Sequence, residues 1–287
     1  MKLQGRSAII TGGSSGLGYS IASAFLAEGA NVVICGRDRQ ALESARARLD
    51  ASTAGTKRLM AFASDVSSND QVDELVSRSI SEFGEIDILI NNAGVLGPVG
   101  RIEDTAIDEW RAAMDINFFG VLLPCRALIP GMRSRGYGKI VNLSGGGATS
   151  PRPFFGAYAA SKAAVVRLTE NLAEELRGTG LNINAIAPGA LNTRLLTQAL
   201  AAGPERTGEV EYAHALRQQT TGGASMARAA ELCVFLSSTL SDGITGRLIS
   251  APWDPWPDLR HRVEELSKTD IYTLRRILPE DRNRSWS

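Results

Sequence analysis

Short apolar segments rich in Val and Ile alternate along the chain with longer segments of helical period. The apolar segments predict seven strands, at 7–11, 31–35, 59–63, 87–91, 139–143, 182–187 and 247–250. Because most of them are apolar throughout, we expect strands that are buried on both faces, as in a parallel sheet.

The segments between the strands are rich in Ala, Leu and Glu and predict helices, for example over 20–27, 39–49, 70–83, 107–133 and 157–177. Strands that alternate with helices predict the α/β class, here a single doubly wound domain with a seven-stranded parallel sheet. No linker interrupts the pattern before residue 250, so we expect this domain to span residues 1–250.

Two segments depart from the alternation. Residues 202–224 mix helix formers with Gly and Thr clusters, which indicates a mobile loop or a helical lid over a site. Residues 251–287 carry Pro, Trp and charged residues in place of strand periodicity and form a C-terminal extension. Because Leu259, Val263 and Leu266 recur at helical spacing, we expect this extension to pack on its own domain or on a partner subunit.

The composition is that of an ordinary soluble protein, with 287 residues, 44% of them hydrophobic, and 31 basic against 31 acidic side chains. Without a net positive charge or a dense basic run, neither a nucleic acid nor an anionic membrane is an expected partner. The three cysteines are far apart and the two histidines lie near none of them, so we expect no disulfide and no metal site. With no N-terminal leader and no apolar run of about 18 residues, the expected location is cytoplasmic.

A glycine-rich turn, Thr11-Gly12-Gly13-Ser14-Ser15-Gly16-Leu17-Gly18, follows the first strand and precedes the first helix. Glycines at these places allow a tight turn and the close approach of backbone amides to a pyrophosphate, and the helix N-terminus adds a positive dipole end. The turn therefore predicts a dinucleotide-binding site.

With this turn, Asn91-Asn92-Ala93-Gly94 and Tyr158-Ala159-Ala160-Ser161-Lys162, the chain resembles the short-chain dehydrogenase/reductase family, classical type, from about residue 5 to 250. The resemblance implies a Rossmann-type fold, a nicotinamide cofactor, a small-molecule substrate and assembly as a homodimer or homotetramer. The cofactor-binding residues that it implies are Gly12, Ser14, Ser15, Gly16, Leu17, Gly18, Arg37, Asp65, Val66, Asn92, Ala93, Gly94, Tyr158, Lys162, Pro188, Gly189 and Thr193.

The end of the second strand indicates which nicotinamide cofactor is used. Relatives that use NAD carry an acidic residue there, whereas this chain has Gly36 followed by Arg37. A guanidinium can pair with the 2′-phosphate of NADP(H), which an acid would repel. We therefore expect NADP(H) rather than NAD(H); the alternative is that Arg37 is only a solvated surface charge.

Tyr158 and Lys162 stand four residues apart in a helical segment, so their side chains lie on one face. We expect the ammonium group to lower the pKa of the phenol, which makes Tyr158 the acid in carbonyl reduction and the base in alcohol oxidation. The resemblance further implies that Lys162 binds the nicotinamide ribose and that Asn117 completes a proton relay to it.

The serine that polarises the substrate carbonyl in the family is displaced. Counted back from Tyr158, its usual place falls on Gly145. Ser144 is then either a shifted donor, the interpretation that we favour, or a plain strand-end serine, with Thr149 and Ser150 as further candidates.

The expected function is an NADP(H)-dependent ketone reductase or alcohol dehydrogenase for a small molecule, a 3-oxoacyl group among the substrates considered. The altered serine position motivates the alternative, an NADP(H)-binding sensor or scaffold without catalysis.

Arg152, in the loop before the Tyr158 helix, is either an anchor for an anionic substrate or a solvated charge. Trp253 and Trp256 either line the pocket or pack the extension.

Overall fold

The fold is a seven-stranded parallel sheet with helices on both faces, as the computed structural model of residues 1–52 and 57–285 shows. The strands are β1 (Ser7–Thr11), β2 (Asn31–Gly36), β3 (Leu59–Ala63), β4 (Ile88–Asn91), β5 (Gly138–Leu143), β6 (Leu181–Ala187) and β7 (Leu248–Ser250). Their order in the sheet is β3-β2-β1-β4-β5-β6-β7, which confirms the predicted doubly wound Rossmann-type fold. The chain reverses direction across the sheet between β1 and β4, and such a switch point opens a crevice at the carboxyl ends of the strands.

The part of the chain that the structure describes contains ten α-helices. They are α1 (Gly16–Ala27), α2 (Arg39–Ser52), α3 (Asn69–Phe83), α4 (Ile107–Met114), α5 (Gly120–Arg135), α6 (Gly156–Glu175), α7 (Arg194–Thr207), α8 (Glu209–Thr221), α9 (Met226–Ser237) and α10 (Val263–Lys268). Buried residues of α1, α2 and α9 form the core on one face of the sheet, and those of α3, α5 and α6 form the core on the other. The central strands are buried between two helical layers, as their apolar sequences predict, whereas the edge strand β3 is half-buried throughout.

The helix predicted over 107–133 is interrupted. A π-helical turn, Asp115–Phe119, separates α4 from α5. By length and hydropathy the whole run Ile107–Arg135 could cross a membrane, but Val121, Cys125 and Leu128 pack it onto the sheet, and core helices pass the same test. We therefore treat the run as a core helix.

The C-terminal extension lies along the outer edge of β7. The backbone N–H of Leu248 donates to the carbonyl of Tyr272 at 2.8 Å, so the extension pairs with the last strand. The buried guanidinium of Arg247 donates to the carbonyls of Leu266, Thr269 and Ile271. Trp256, Leu259 and Leu266 are buried beside α9, whereas Trp253 is 84% exposed.

We predict that Arg247→Met destabilises the protein by about 2 kcal/mol or more. In the wild type the carbonyls of Thr269 and Ile271 accept hydrogen bonds from the buried Arg247 guanidinium, and in the variant they lose this donor. The exposed Arg276 provides a control, and Arg276→Met should stay within about 0.5 kcal/mol of wild type. Urea unfolding measures both free energies. Equal stability of the two variants would show that the Arg247 contacts do not hold the extension in place.

Candidate active site

The turns after β1 and β4 are joined by hydrogen bonds. Oγ1 of Thr11 accepts from the backbone N–H groups of Asn92 and Ala93, both at 3.0 Å. The Asn92 side chain returns a bond from Nδ2 to the Thr11 carbonyl at 2.9 Å. These contacts fix the two turns that border the crevice at the switch point.

The glycine turn leaves the first amides of α1 free. A Cβ on Gly18 would lie only 2.3 Å from the Gly12 carbonyl oxygen, so a glycine is required for this close packing. Ser15 makes no capping bond, and the backbone N–H groups of Gly16, Leu17 and Gly18 donate to no residue in the described ranges. Free amides at a helix N-terminus with no acidic residue in its first turn form an anion-binding site, which fits a pyrophosphate.

The region where the adenosine half of a dinucleotide would lie is bordered by the ends of β2 and β3. Gly36 faces the Ser14 side chain, with 3.8 Å between a Cβ on Gly36 and Ser14 Oγ, and Arg37 is exposed beside them. Although burial opposes it, hydrogen bonds from Ser67 and the charge of Arg37 hold the pKa of Asp65 below its usual range. A cation and a carboxylate therefore lie near each other just beyond the ends of β2 and β3.

The remaining predicted cofactor residues divide into buried and crevice-facing groups. Leu17 and Val66 are buried in the cores on opposite faces of the sheet. Thr193 is the N-cap residue of α7, and its methyl group is 3.6 Å from the position of a Cβ on Gly16, so the loop after β6 reaches the glycine turn. The Pro188-Gly189 turn begins this loop, and a Cβ on Gly189 would lie 3.1 Å from Cγ of Pro252 in the extension.

Asn117 lies in the π-helical turn and braces the loop after β4. Its Oδ1 accepts from the N–H of Val95 at 2.8 Å, and its Nδ2 donates to the Val95 carbonyl at 2.9 Å and to Ser161 Oγ at 3.0 Å. A Cβ on Gly94 would be 3.2 Å from Asn117 Oδ1 and 3.5 Å from Lys162 Nζ. The structure therefore brings Gly94, Asn117 and Lys162 together, and single-turn π-bulges are frequent at functional sites.

Tyr158 and Lys162 share one face of α6. Nζ of Lys162 donates to the Leu143 carbonyl at 2.8 Å and lies 5.7 Å from the centroid of the Tyr158 ring. Burial lowers the pKa of Lys162 from 10.5 to about 8. Burial also raises the pKa of Tyr158, against the opposing charge of Arg152, so the lowering expected from Lys162 is not found. The Tyr158 phenol is therefore protonated at neutral pH, the form that a proton donor needs.

A chain of buried polar side chains holds α6 against the sheet. Its first member, Asn91, begins the Asn91-Asn92-Ala93-Gly94 motif, but the motif did not indicate the partners of this side chain. Nδ2 of Asn91 donates to Oδ1 of Asn142 at 2.9 Å, and Nδ2 of Asn142 donates to Oγ1 of Thr169 at 2.8 Å. The available signal was the presence of asparagine within two otherwise apolar strands. A buried asparagine requires partners, so each one predicts a cross-element bond.

The surroundings of Ser144 differ from those that the predicted role as carbonyl donor requires. Ser144 Oγ is fully buried and has no hydrogen-bond partner among the residues described, so a substrate could not contact it in this conformation. Its role as carbonyl donor stays a prediction, and this burial weighs against it. Thr149 and Ser150 are exposed and follow Ala148, which packs beside Val166.

Arg152 connects the loop before α6 to the helices that cover the crevice. Its Nε donates to Glu211 Oε1 of α8 at 2.8 Å, and its guanidinium stacks 4.2 Å from the Phe155 ring. Residues 202–224, predicted as a loop or lid, contribute the end of α7 and all of α8. Because Glu211 neutralises Arg152, this arginine is not a free anchor for a substrate anion.

A sequence model described as short chain dehydrogenase matches residues 6–202. The chain belongs to the short-chain dehydrogenase family. It is 41% identical to 3beta-hydroxysteroid dehydrogenase 1 of Eggerthella lenta over 202 residues, which are 69% of this chain and 76% of that protein. It is 36% identical to 2-dehydro-3-deoxy-L-rhamnonate dehydrogenase (NAD(+)) of Sphingomonas sp. over 194 residues, 68% of this chain and 75% of that protein.

Two solved structures of other enzymes share the fold. Levodione reductase superposes with a TM-score of 0.80 at 30% identity, covering 90% of this chain and 99% of its own. NAD+-bound xylitol dehydrogenase gives the same TM-score at 25% identity, covering 87% of this chain and 98% of its own. The protein is accordingly an oxidoreductase that uses a nicotinamide cofactor and acts on small-molecule alcohols or ketones.

We predict that the cofactor-free wild type gains stability relative to Lys162→Met as the pH rises from 8 to 10.5. In this interval the unfolded chain keeps the Lys162 proton that the folded chain has lost, so the free energy of unfolding increases with pH. The difference in pKa corresponds to about 3 kcal/mol over the full interval. Urea unfolding of both proteins at pH 7.5, 9 and 10 measures it, and a pH-independent difference would contradict the lowered pKa.

Proposed function

We propose that this short-chain dehydrogenase is an NADP(H)-dependent reductase of small-molecule ketones, which also oxidises the corresponding alcohols. The observation that carries the proposal is the placement of one free phenol at the switch-point crevice. The Tyr158 hydroxyl makes no hydrogen bond within the described chain, and the free amides of α1 border the same crevice. A dinucleotide held by those amides would extend toward Tyr158.

The proton chemistry belongs to this chain's own residues. When bound, the reduced nicotinamide supplies a hydride to the carbonyl carbon, and negative charge then develops on the carbonyl oxygen. Tyr158 donates its proton to that oxygen. Lys162 stays near Tyr158 and carries positive charge below pH about 8, and Asn117 keeps the loop after β4 in place.

The proposed preference for NADP(H) rests on the end of β2. An acidic residue there would accept from a ribose hydroxyl, whereas Gly36 offers no acceptor and Arg37 offers a cation. The names of two of the similar proteins mention NAD+, so the proposed preference for NADP(H) rests on Gly36 and Arg37 of this chain and not on those proteins. The names of the relatives from Eggerthella lenta and Sphingomonas sp. specify a hydroxysteroid and a sugar acid, so we propose only the class of small-molecule alcohols and ketones as substrates.

A second candidate function is favoured by Gly145. A site with no side chain at that position and a buried Ser144 could bind NADP(H) and act as a sensor or scaffold. Tight NADPH binding without turnover of ketones, aldehydes, β-keto esters or 3-oxoacyl thioesters would support it. Any NADPH oxidation that depends on such a substrate would support the reductase.

The assembly and location are also proposals. We propose a homodimer or homotetramer in the cytoplasm, with residues 1–250 as the catalytic domain and 251–287 as its packed extension. The helical run Ile107–Arg135 supports self-association, because Ile107 and Phe119 leave apolar surface exposed on it.

We predict that Tyr158→Phe lowers the turnover number about a hundred- to ten-thousand-fold, because it removes the donated proton. The NADPH dissociation constant should change less than about twofold, since the ring still packs with Leu96 and Phe155. Steady-state kinetics and NADPH fluorescence measure the two quantities. A variant that retains half its activity would show that another group donates the proton. Ser144→Ala, which changes a buried hydroxyl, should keep most of the activity in the same assay, and a loss of about a hundredfold or more would show that Ser144 polarises the carbonyl.

We predict that Arg37→Asp reverses the cofactor preference toward NADH, because it removes the phosphate-binding cation and introduces a ribose acceptor. The neighbouring Arg39→Asp is the matched control, since it makes the same charge change two residues further on, at the start of α2. Fluorescence titration with both cofactors gives the ratio of dissociation constants. Equal wild-type affinity for NADPH and NADH would refute the role of Arg37.

A further inference from the structure

Tyr158 makes an unusually close approach to the loop after β5. A Cβ on Gly145 would lie 2.4 Å from the Tyr158 hydroxyl oxygen, 3.2 Å from Cζ and 3.3 Å from Cε1. Gly145 does not have a positive φ, so its φ angle does not by itself require a glycine. The constraint at this position is therefore steric, since the three atoms nearest to the Cβ position all belong to Tyr158.

The Tyr158 ring is confined on its other sides. It is 7% exposed and packs in a cluster with Leu96, Val99, Phe155 and Ala199. Buried side chains in such clusters resist displacement, because a shift of one ring disturbs each of its neighbours. A side chain at position 145 would therefore have to move the hydroxyl away from its present place.

The other polar side chains near Tyr158 are already hydrogen-bonded within the protein. Ser161 Oγ donates to the Tyr158 carbonyl at 2.7 Å and accepts from Asn117, and Lys162 Nζ donates to the Leu143 carbonyl. Ser144 Oγ is buried out of contact with the crevice. Of these side chains, the Tyr158 hydroxyl is the one left free to meet a substrate carbonyl.

We propose that Gly145 is a positioning residue for the reaction: its missing side chain lets the Tyr158 hydroxyl occupy the space of a second donor, so that Tyr158 alone polarises and protonates the carbonyl. This inference rests on the proposed reductase function. For the activity of a variant with serine at position 145, the proposal predicts the opposite of what the family resemblance implies. A serine placed at 145 should lower the activity, because its Cβ displaces the hydroxyl that it would be expected to assist.

The test compares Gly145→Ala and Gly145→Ser with Gly146→Ala. Gly146 is the matched control because it is the next residue of the loop, has no positive φ and has nothing within 4 Å of its Cβ position. We expect both changes at 145 to lower the turnover number at least about thirtyfold, toward the loss caused by Tyr158→Phe. NADPH affinity should stay within about twofold of wild type, and Gly146→Ala should keep most of the activity.

A double mutant separates positioning from a general loss of structure. Tyr158→Phe removes the atom 2.4 Å from the added Cβ, so Gly145→Ala should cost little further activity and little melting temperature in that background. Two outcomes would overturn the proposal: Gly145→Ala as active as Gly146→Ala, or Gly145→Ser more active than wild type. If the wild type turns over no substrate, the reductase function fails, and the melting temperatures of the four proteins in the cycle still show whether residue 145 and the hydroxyl compete for one space.

Discussion

The site depends on the hydrogen bonds that Thr11 makes across the switch point. One threonine side chain accepts from two successive amides of the turn after β4, and the asparagine of that turn bonds back to the end of β1. β1 and β4 are neighbours in the sheet although they are separated by two strands and three helices along the chain. Their register therefore sets the distance between the glycine turn, which has free amides, and the loop that Asn117 braces against α6.

From this constraint the positions of the reacting groups follow. The buried chain Asn91, Asn142 and Thr169 fixes α6 on β4 and β5, and α6 carries Tyr158 and Lys162. Burial then determines their protonation, since it raises the pKa of the phenol and lowers that of the amine. Because polar groups in this region are mostly paired with the backbone or with each other, the free phenol at the crevice stands out as the group available for chemistry.

The sequence was sufficient to predict the order of strands and helices, but not the side-chain contacts of the site. Seven apolar segments and the order of the motifs predicted the strands, because a doubly wound sheet leaves little freedom in how strands and helices alternate. The π-helical turn at Asn117 could not be predicted, since local periodicity does not distinguish it from a continuous helix. The ion pair of Arg152 with Glu211 and the burial of Ser144 depend on long-range packing, so both residues were assigned roles from their place in the chain alone.

The most direct test of the account follows the hydrogen that is transferred. NADPH deuterated at the transferable position of its nicotinamide is incubated with a ketone that the protein reduces, and the alcohol is analysed by mass spectrometry and NMR. The account predicts one deuterium on the carbinol carbon in ordinary water, and with unlabelled NADPH in heavy water it predicts none there. Deuterium that reaches this carbon from the solvent, or NADPH that binds and is never oxidised, would contradict the account.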